Sequence, residues 1–170
     1  TSVTTPQDIT YIYISTIEPQ KIWVTLNATS GQVRVSNDMG SNFTIISTGL
    51  PALSARSVVV DEEDEDGVYV AMNIGVYYKN NLNPTWRLHG TGLPLVALNE
   101  IEIQRASNKL RVGTYGRGVW ENHLDYICSC NVTNLSDIGP GSLRPAVKCS
   151  TDGDTITFGN SILGQYIDLT

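Results

Sequence analysis

The segment Tyr115-Gly116-Arg117-Gly118-Val119-Trp120 places a phenol, a guanidinium and an indole within six positions. An arginine fork of this kind can hold a carboxylate or share hydrogen bonds with sugar hydroxyls. Aromatic faces beside it can stack on sugar rings. Tyr115, Arg117 and Trp120 are therefore the candidate ligand-binding residues. The plainer reading is a tight strand connection in which Arg117 pairs locally. Asp61-Glu62-Glu63-Asp64-Glu65-Asp66 is a run of carboxylates, and hard cations want several oxygens. Asp61, Glu63, Asp64 and Asp66 are thus a weak Ca²⁺ candidate, set against a solvated loop with no cofactor. Cys128, Cys130 and Cys149 are an odd set, and Cys128 and Cys130 are too close to bridge comfortably. A Cys130–Cys149 or a Cys128–Cys149 disulfide would suit an oxidising compartment and add roughly 3 kcal/mol by closing the loop. Zinc held by the cysteines with His123 is a further option of weak spacing. His89, beside Gly90, has no partner motif and reads as a surface residue.

These groups need elements to hold them. Ser36-Asn37-Asp38-Met39-Gly40-Ser41-Asn42-Phe43 lies between two alternating apolar runs and reads as a tight turn. Asp38 can accept from the amides that follow it, and Gly40 can take a positive φ without steric cost. Thr48-Gly49-Leu50-Pro51 recurs 43 residues later as Thr91-Gly92-Leu93-Pro94, and Phe43 maps onto Trp86 at the same offset. The turn then maps onto Lys79 to Trp86, with Asn81 in the place of Asp38 and Asn83 in the place of Gly40. Each repeat carries four short runs rich in Val, Ile, Tyr and Thr. The first has 9–15, 21–27, 32–35 and 43–47; the second has 57–61, 67–73, 75–78 and 86–88. A third repeat offers 99–104, 109–115 and 116–120, with no comparable turn after it. Four short strands per forty residues is the spacing of propeller blades, which bury each other's faces in series.

The S-x-D-x-G-x-x-aromatic turn resembles the Asp-box of sialidase-like, sortilin-like and xyloglucanase-like β-propellers. The resemblance covers roughly residues 7 to 125. It implies that Ser36, Asp38, Gly40, Phe43, Asn81 and Trp86 are structural, because that turn joins the outer strands away from the ligand face. The segment from Leu110 to Glu121 resembles the closing blade of propellers in large secreted bacterial surface proteins. In that family a distant strand completes the last blade, so its absence predicts an excised piece of a longer chain.

Composition shifts after Asp125. Asn131 to Arg144, followed by Asp152-Gly153-Asp154-Thr155-Ile156-Thr157-Phe158, resembles the start of right-handed parallel β-helix domains. A short capping helix is expected around Pro145, Lys148 and Cys149, with Pro145 tolerated only in its first turn. Residues 165–169 would supply the next rung strand. The expected fold is all-β: a partial propeller of two full four-stranded antiparallel blades (7–51 and 52–94) and most of a third (95–125), within residues 1–125. A cysteine-bearing β-helix-like start fills 126–170.

A net charge of −6 argues against a nucleic-acid partner. No apolar run reaches the length of a membrane span. Glycoside hydrolysis needs two facing carboxylates, and no motif singles out such a pair, so no catalytic residue is assigned. A sialidase would need three convergent arginines, and none here sits in a recognisable sialidase motif. The expectation is a non-enzymatic scaffold or binding module of a secreted or cell-surface protein. Its partners would be the rest of the parent chain and glycans or surface proteins, in an adhesion role. The alternative is part of a polysaccharide-degrading glycoside hydrolase whose catalytic carboxylates lie outside these residues.

Overall fold

The computed structural model describes residues 8–62, 67–81, 83–90, 92–125, 130–136, 141–150 and 152–168, the side chains of Lys148 and Cys149 excepted. The chain divides into two compact units, the first running to Leu124 and the second from Asp125.

In the first unit, runs of β-branched and aromatic residues become strands, and the glycine- and asparagine-rich stretches between them become turns. β1 (Ile9–Ile14), β2 (Ile22–Leu26), β3 (Val33–Ser36) and β4 (Thr44–Ile45) form one four-stranded antiparallel sheet in chain order. β5 (Ala55–Asp61), β6 (Gly67–Met72), β7 (Gly75–Lys79) and β8 (Arg87–His89) form a second of identical order. β9 (Leu98–Gln104), β10 (Lys109–Thr114) and β11 (Gly118–His123) form a three-stranded third. The expected third strand from Gly116 instead starts at Gly118 and reaches His123.

β5 packs against β1 on one side and β9 on the other, so the second sheet is sandwiched. Its strands show the consequence: β6 is buried at every position and β5 at all but Arg56. β1 instead alternates. Tyr11 and Tyr13 pack on the core shared with the second sheet, while Ile12 and Ile14 stay exposed on the other face. The core joins Trp23 and Val33 of the first sheet to Val58, Val60, Val68, Val70, Met72 and Trp86 of the second.

Phe43 and Trp86 each stand one residue before the fourth strand of their sheet, as the repeat predicts. Trp86 is buried and donates from Nε1 to the Ile46 carbonyl of the preceding blade at 2.6 Å. Gln32, also buried, donates to the carbonyls of Pro51 and Leu53 at 2.8 and 3.3 Å and ties the first blade to the connector.

One expectation is corrected here. His89 is buried, not on the surface: its ring meets the Tyr69 ring edge-on at 5.0 Å, in the apolar pair Tyr69–Tyr78. It is the one buried residue of β8, where Arg87 and Leu88 are exposed. In the degenerate turn, Asn80, the neighbour of Asn81, closes on Asn83. Its Oδ1 accepts from Asn83 N at 2.7 Å, and its own N–H donates to the Asn83 carbonyl at 3.2 Å.

In the second unit, β12 (Asn131–Val132) and β13 (Thr157–Phe158) pair in parallel, which requires a crossover. The crossover carries α1 (Leu143–Cys149), with Pro145 in its first turn where its missing N–H costs nothing. Val132, Ala146 and Ile162 form a small core. The strand expected at 165–169 does not form in the described residues 165–168. Cys130 is a free thiol, so the Cys130–Cys149 alternative is not formed. Its backbone carbonyl accepts from Thr157 N at 2.7 Å, continuing the parallel ladder. Cys128 and the Cys149 side chain lie outside the described residues.

Candidate ligand site at the inner-strand bulges

Each inner strand carries one irregularity of register, at the same end of its sheet. In β1, Ile9 pairs Leu26 and Tyr11 pairs Thr25, leaving Thr10 over. In β5, Ala55 pairs Met72 and Ser57 pairs Ala71, leaving Arg56 over. In β9, Leu98 pairs Thr114 and Glu100 pairs Gly113, leaving Asn99 over. A bulge residue is released from the strict up-and-down alternation of its strand and can be re-aimed. The three bulge residues, with Ala97 and Tyr115, line one open cavity of about 380 Å³.

Local bonding sets these side chains in place. Thr10 Oγ1 lies 2.8 Å from the Ala55 carbonyl and 2.9 Å from Thr25 Oγ1, bridging two blades. Arg56 Nε donates to Asn73 Oδ1 at 3.0 Å, which fixes the plane of the guanidinium. Tyr115 N donates to the Ala97 carbonyl at 2.9 Å, while its ring is three-quarters exposed. The turn behind it needs glycine twice, since Gly116 and Gly118 have φ of 75° and 74°. Thr114 Oγ1 closes that turn on the Gly118 carbonyl at 2.7 Å. The cavity thus presents one aromatic face with its phenol, one cation, one amide and the Thr10 hydroxyl, and none of its described lining residues is acidic.

Of the candidate residues, Tyr115 is at this cavity. Arg117 and Trp120 do not line it: the Trp120 indole donates to the Arg117 carbonyl at 3.0 Å, so the pair braces the turn. Thr10, Arg56 and Asn99 were not singled out from sequence. The signal was present, because Arg56 and Asn99 are one 43-residue repeat apart. Their identities differ, however, and a bulge leaves no residue signature of its own.

The carboxylate run is not a single group. Asp61 is fully buried at the end of β5, and Arg105, from the neighbouring blade, pairs with it. Asp61 therefore does not belong to a solvated loop. Glu62 accepts from Thr16 N at 2.8 Å and from the Thr16 hydroxyl. Glu63, Asp64 and Asp66 lie outside the described residues. Among the described residues, no group of three His, Cys, Asp or Glu side chains could hold a metal.

Around Asp38 the turn is closed by side chains. Asn42 donates its backbone N–H to Asp38 Oδ1 at 2.8 Å and its Nδ2 to Oδ2 at 2.7 Å. The Ser36 hydroxyl is 2.7 Å from Oδ1 and accepts from Gly40 N at 2.8 Å. Gly40 has φ of 84°. The bonds from the Asn42 side chain, the Asn42 backbone and Ser36 pull the Asp38 carboxyl down from 3.8 to about 2.

Serial antiparallel sheets of four, four and three strands packed side by side define the protein's class: these are blades of a β-propeller. The solved structures it resembles agree. It is similar to the GH74 xyloglucanase from Xanthomonas campestris, with a TM-score of 0.51 and 12% identity over 76% of this chain and 22% of that one. It is also similar to the extracellular domain of a one component system from B. thetaiotaomicron, with a TM-score of 0.53 and 12% identity over 75% of this chain and 17% of that one. YCF48 from Cyanidioschyzon merolae is a third, with a TM-score of 0.50 and 14% identity over 71% of this chain and 35% of that one. The chain spans about a third or less of the length of these structures, 22%, 17% and 35%. At such identities the likeness speaks for the fold. No family model and no curated protein matches the sequence. Among the described residues, no helix is long and apolar enough to cross a membrane.

Proposed function

We propose that the chain is a glycan-binding scaffold segment of a larger secreted or surface protein, with its ligand face at the inner-strand bulges. The observation that carries this reading is the convergence of Thr10, Arg56 and Asn99, the bulge residues of three successive blades, with Tyr115 on one cavity. Sugar rings offer C–H faces to an aromatic and hydroxyls to guanidinium, amide and hydroxyl groups, and such a mixed lining suits them. The turns around Asp38 and Asn81 are read as an Asp-box and its degenerate copy, which hold the opposite ends of the blades. The parallel pairing of β12 with β13 supports a β-helix start in the second unit.

The test is a glycan array probed with the 170-residue chain and with Tyr115→Ala. A saturable signal lost in the variant supports the reading. No signal on any glycan would leave scaffolding without a glycan ligand as the better account. The second reading, part of a polysaccharide-degrading hydrolase, is favoured by the likeness to GH74 enzymes. It predicts release of reducing ends from a polysaccharide by the full-length protein, and inactivity of this chain alone.

A further inference from the structure

A second cleft lies at the other end of the first two blades, between their turn segments. It holds about 210 Å³, room for about seven waters at roughly 30 Å³ each, or one small organic molecule. Its chemistry differs from that of the bulge cavity. Lys79 and Lys21 both border it, and Trp23, Val35, Ile46 and Val68 supply an apolar wall. Lys21 is shared with Glu18 at 3.2 Å. Lys79 has no carboxylate partner among the described residues; its Nζ lies 5.4 Å from the Trp86 ring centroid. It is half-buried, and desolvation pulls its ammonium below the usual lysine range. A cation held out of water beside a cleft, with only an aromatic face against it, gains from an anion there.

Asn80 adds a donor. With Oδ1 accepting from Asn83 N at 2.7 Å, the amide orientation is set, and Nδ2 is left buried with no partner among the described residues. Such a group costs free energy that a ligand oxygen would recover.

We propose that this cleft binds a small amphipathic carboxylate, its head on Lys79 and Lys21 and its apolar body against Val35, Ile46 and the Trp23 edge. The head group gives the Lys79 ammonium, held over the Trp86 ring, a counter-charge. The apolar wall separates this ligand class from inorganic anions, which have nothing to bury. The site is separate from the bulge cavity, and its residues play no part in glycan contact.

The experiment is an NMR titration of the 170-residue chain with benzoate, reading the indole N–H of Trp23 and the side chain of Lys79. Inorganic phosphate serves as the parallel probe. Saturable shifts at both residues are expected with benzoate, and weaker binding with phosphate. Lys79→Met should weaken benzoate at least about tenfold, the scale of one charge-assisted hydrogen bond. Lys79→Arg should retain most of the affinity. Thermal melting of each variant separates a lost site from a lost fold. Absence of saturable shifts, or equal affinity in Lys79→Met with an unchanged melting temperature, overturns the proposal. Phosphate binding as tight as benzoate overturns the apolar half of it.

Discussion

Arg56 and Asn99 are one repeat apart and occupy the same bulge of successive inner strands. Each is the extra residue that its partner strand does not oppose. The repeat has therefore kept the backbone irregularity while changing the side chain it presents. That combination suits a face where geometry is held and chemistry is varied.

The first prediction concerns this face. Arg56→Ala and Asn99→Ala should each weaken glycan binding by about tenfold, the loss of one or two polar contacts. Melting temperature should change little, because neither residue contributes to the apolar core. Isothermal titration against whichever glycan the array identifies, beside melting curves, separates the two effects. A drop in stability equal to the drop in affinity would make the bulge residues structural.

A second prediction follows from Asp61, whose carboxylate is wholly buried and paired with Arg105 across the second and third blades. Arg105→Met should destabilise the unit by roughly 3 kcal/mol, the lower end of the range for breaking a buried pair, since the arginine is partly exposed. Adding Asp61→Asn to that variant should recover a large part of the loss. Urea unfolding of the two single variants and the double reads the coupling.

The Asp38 turn gives a pH prediction. Its folded-state value of about 2 lies below the ordinary 3.8, so protonation is disfavoured in the folded turn. Its stabilising contribution is fully present above about pH 4. It fades as pH falls through about 2. An NMR titration should show the Asn42 amide moving with a midpoint near 2, and Asp38→Asn should abolish that transition. A midpoint near 3.8 would mean that the Asn42 and Ser36 bonds do not persist in solution.

Trp86 supplies the fourth. Trp86→Phe removes the bond to the Ile46 carbonyl but keeps an aromatic in the core, and should cost about 1 to 2 kcal/mol. Trp86→Ala opens a cavity in the core between blades and should cost about 3 to 5 kcal/mol. Phe43→Ala should cost less than Trp86→Ala, because Phe43 is only half-buried in the first blade. Equal costs would argue against a shared inter-blade core centred on Trp86. Chemical denaturation of the three variants ranks them.

Much of the fold was legible in the chain itself. Alternation and β-branched runs mark the strands, and the Asp38 turn with the Thr-Gly-Leu-Pro repeat marks where each blade closes. Phe43 and Trp86 stand at equivalent places because each is held between a turn and a fourth strand. Other positions were not legible. Asp61 looks like the first of a solvated acidic run, yet it ends a strand covered on both faces, and only the neighbouring blade brings Arg105 to it. His89 has no motif, and its burial depends on Tyr69 and Tyr78, which come from two other strands. Asn80 has no motif of its own either, yet its side chain, one step before Asn81, closes the turn on Asn83.

By itself, then, the order of residues determined what depends on near neighbours: strand, turn, repeat length and the serial joining of sheets. Periodicity and glycine placement act within a few positions, so they can be read without coordinates. The meeting of Thr10, Arg56, Asn99 and Tyr115 was decided only by tertiary packing. A bulge is a mismatch between two strands rather than a property of either, and four residues spread over more than a hundred positions converge only once three sheets have stacked.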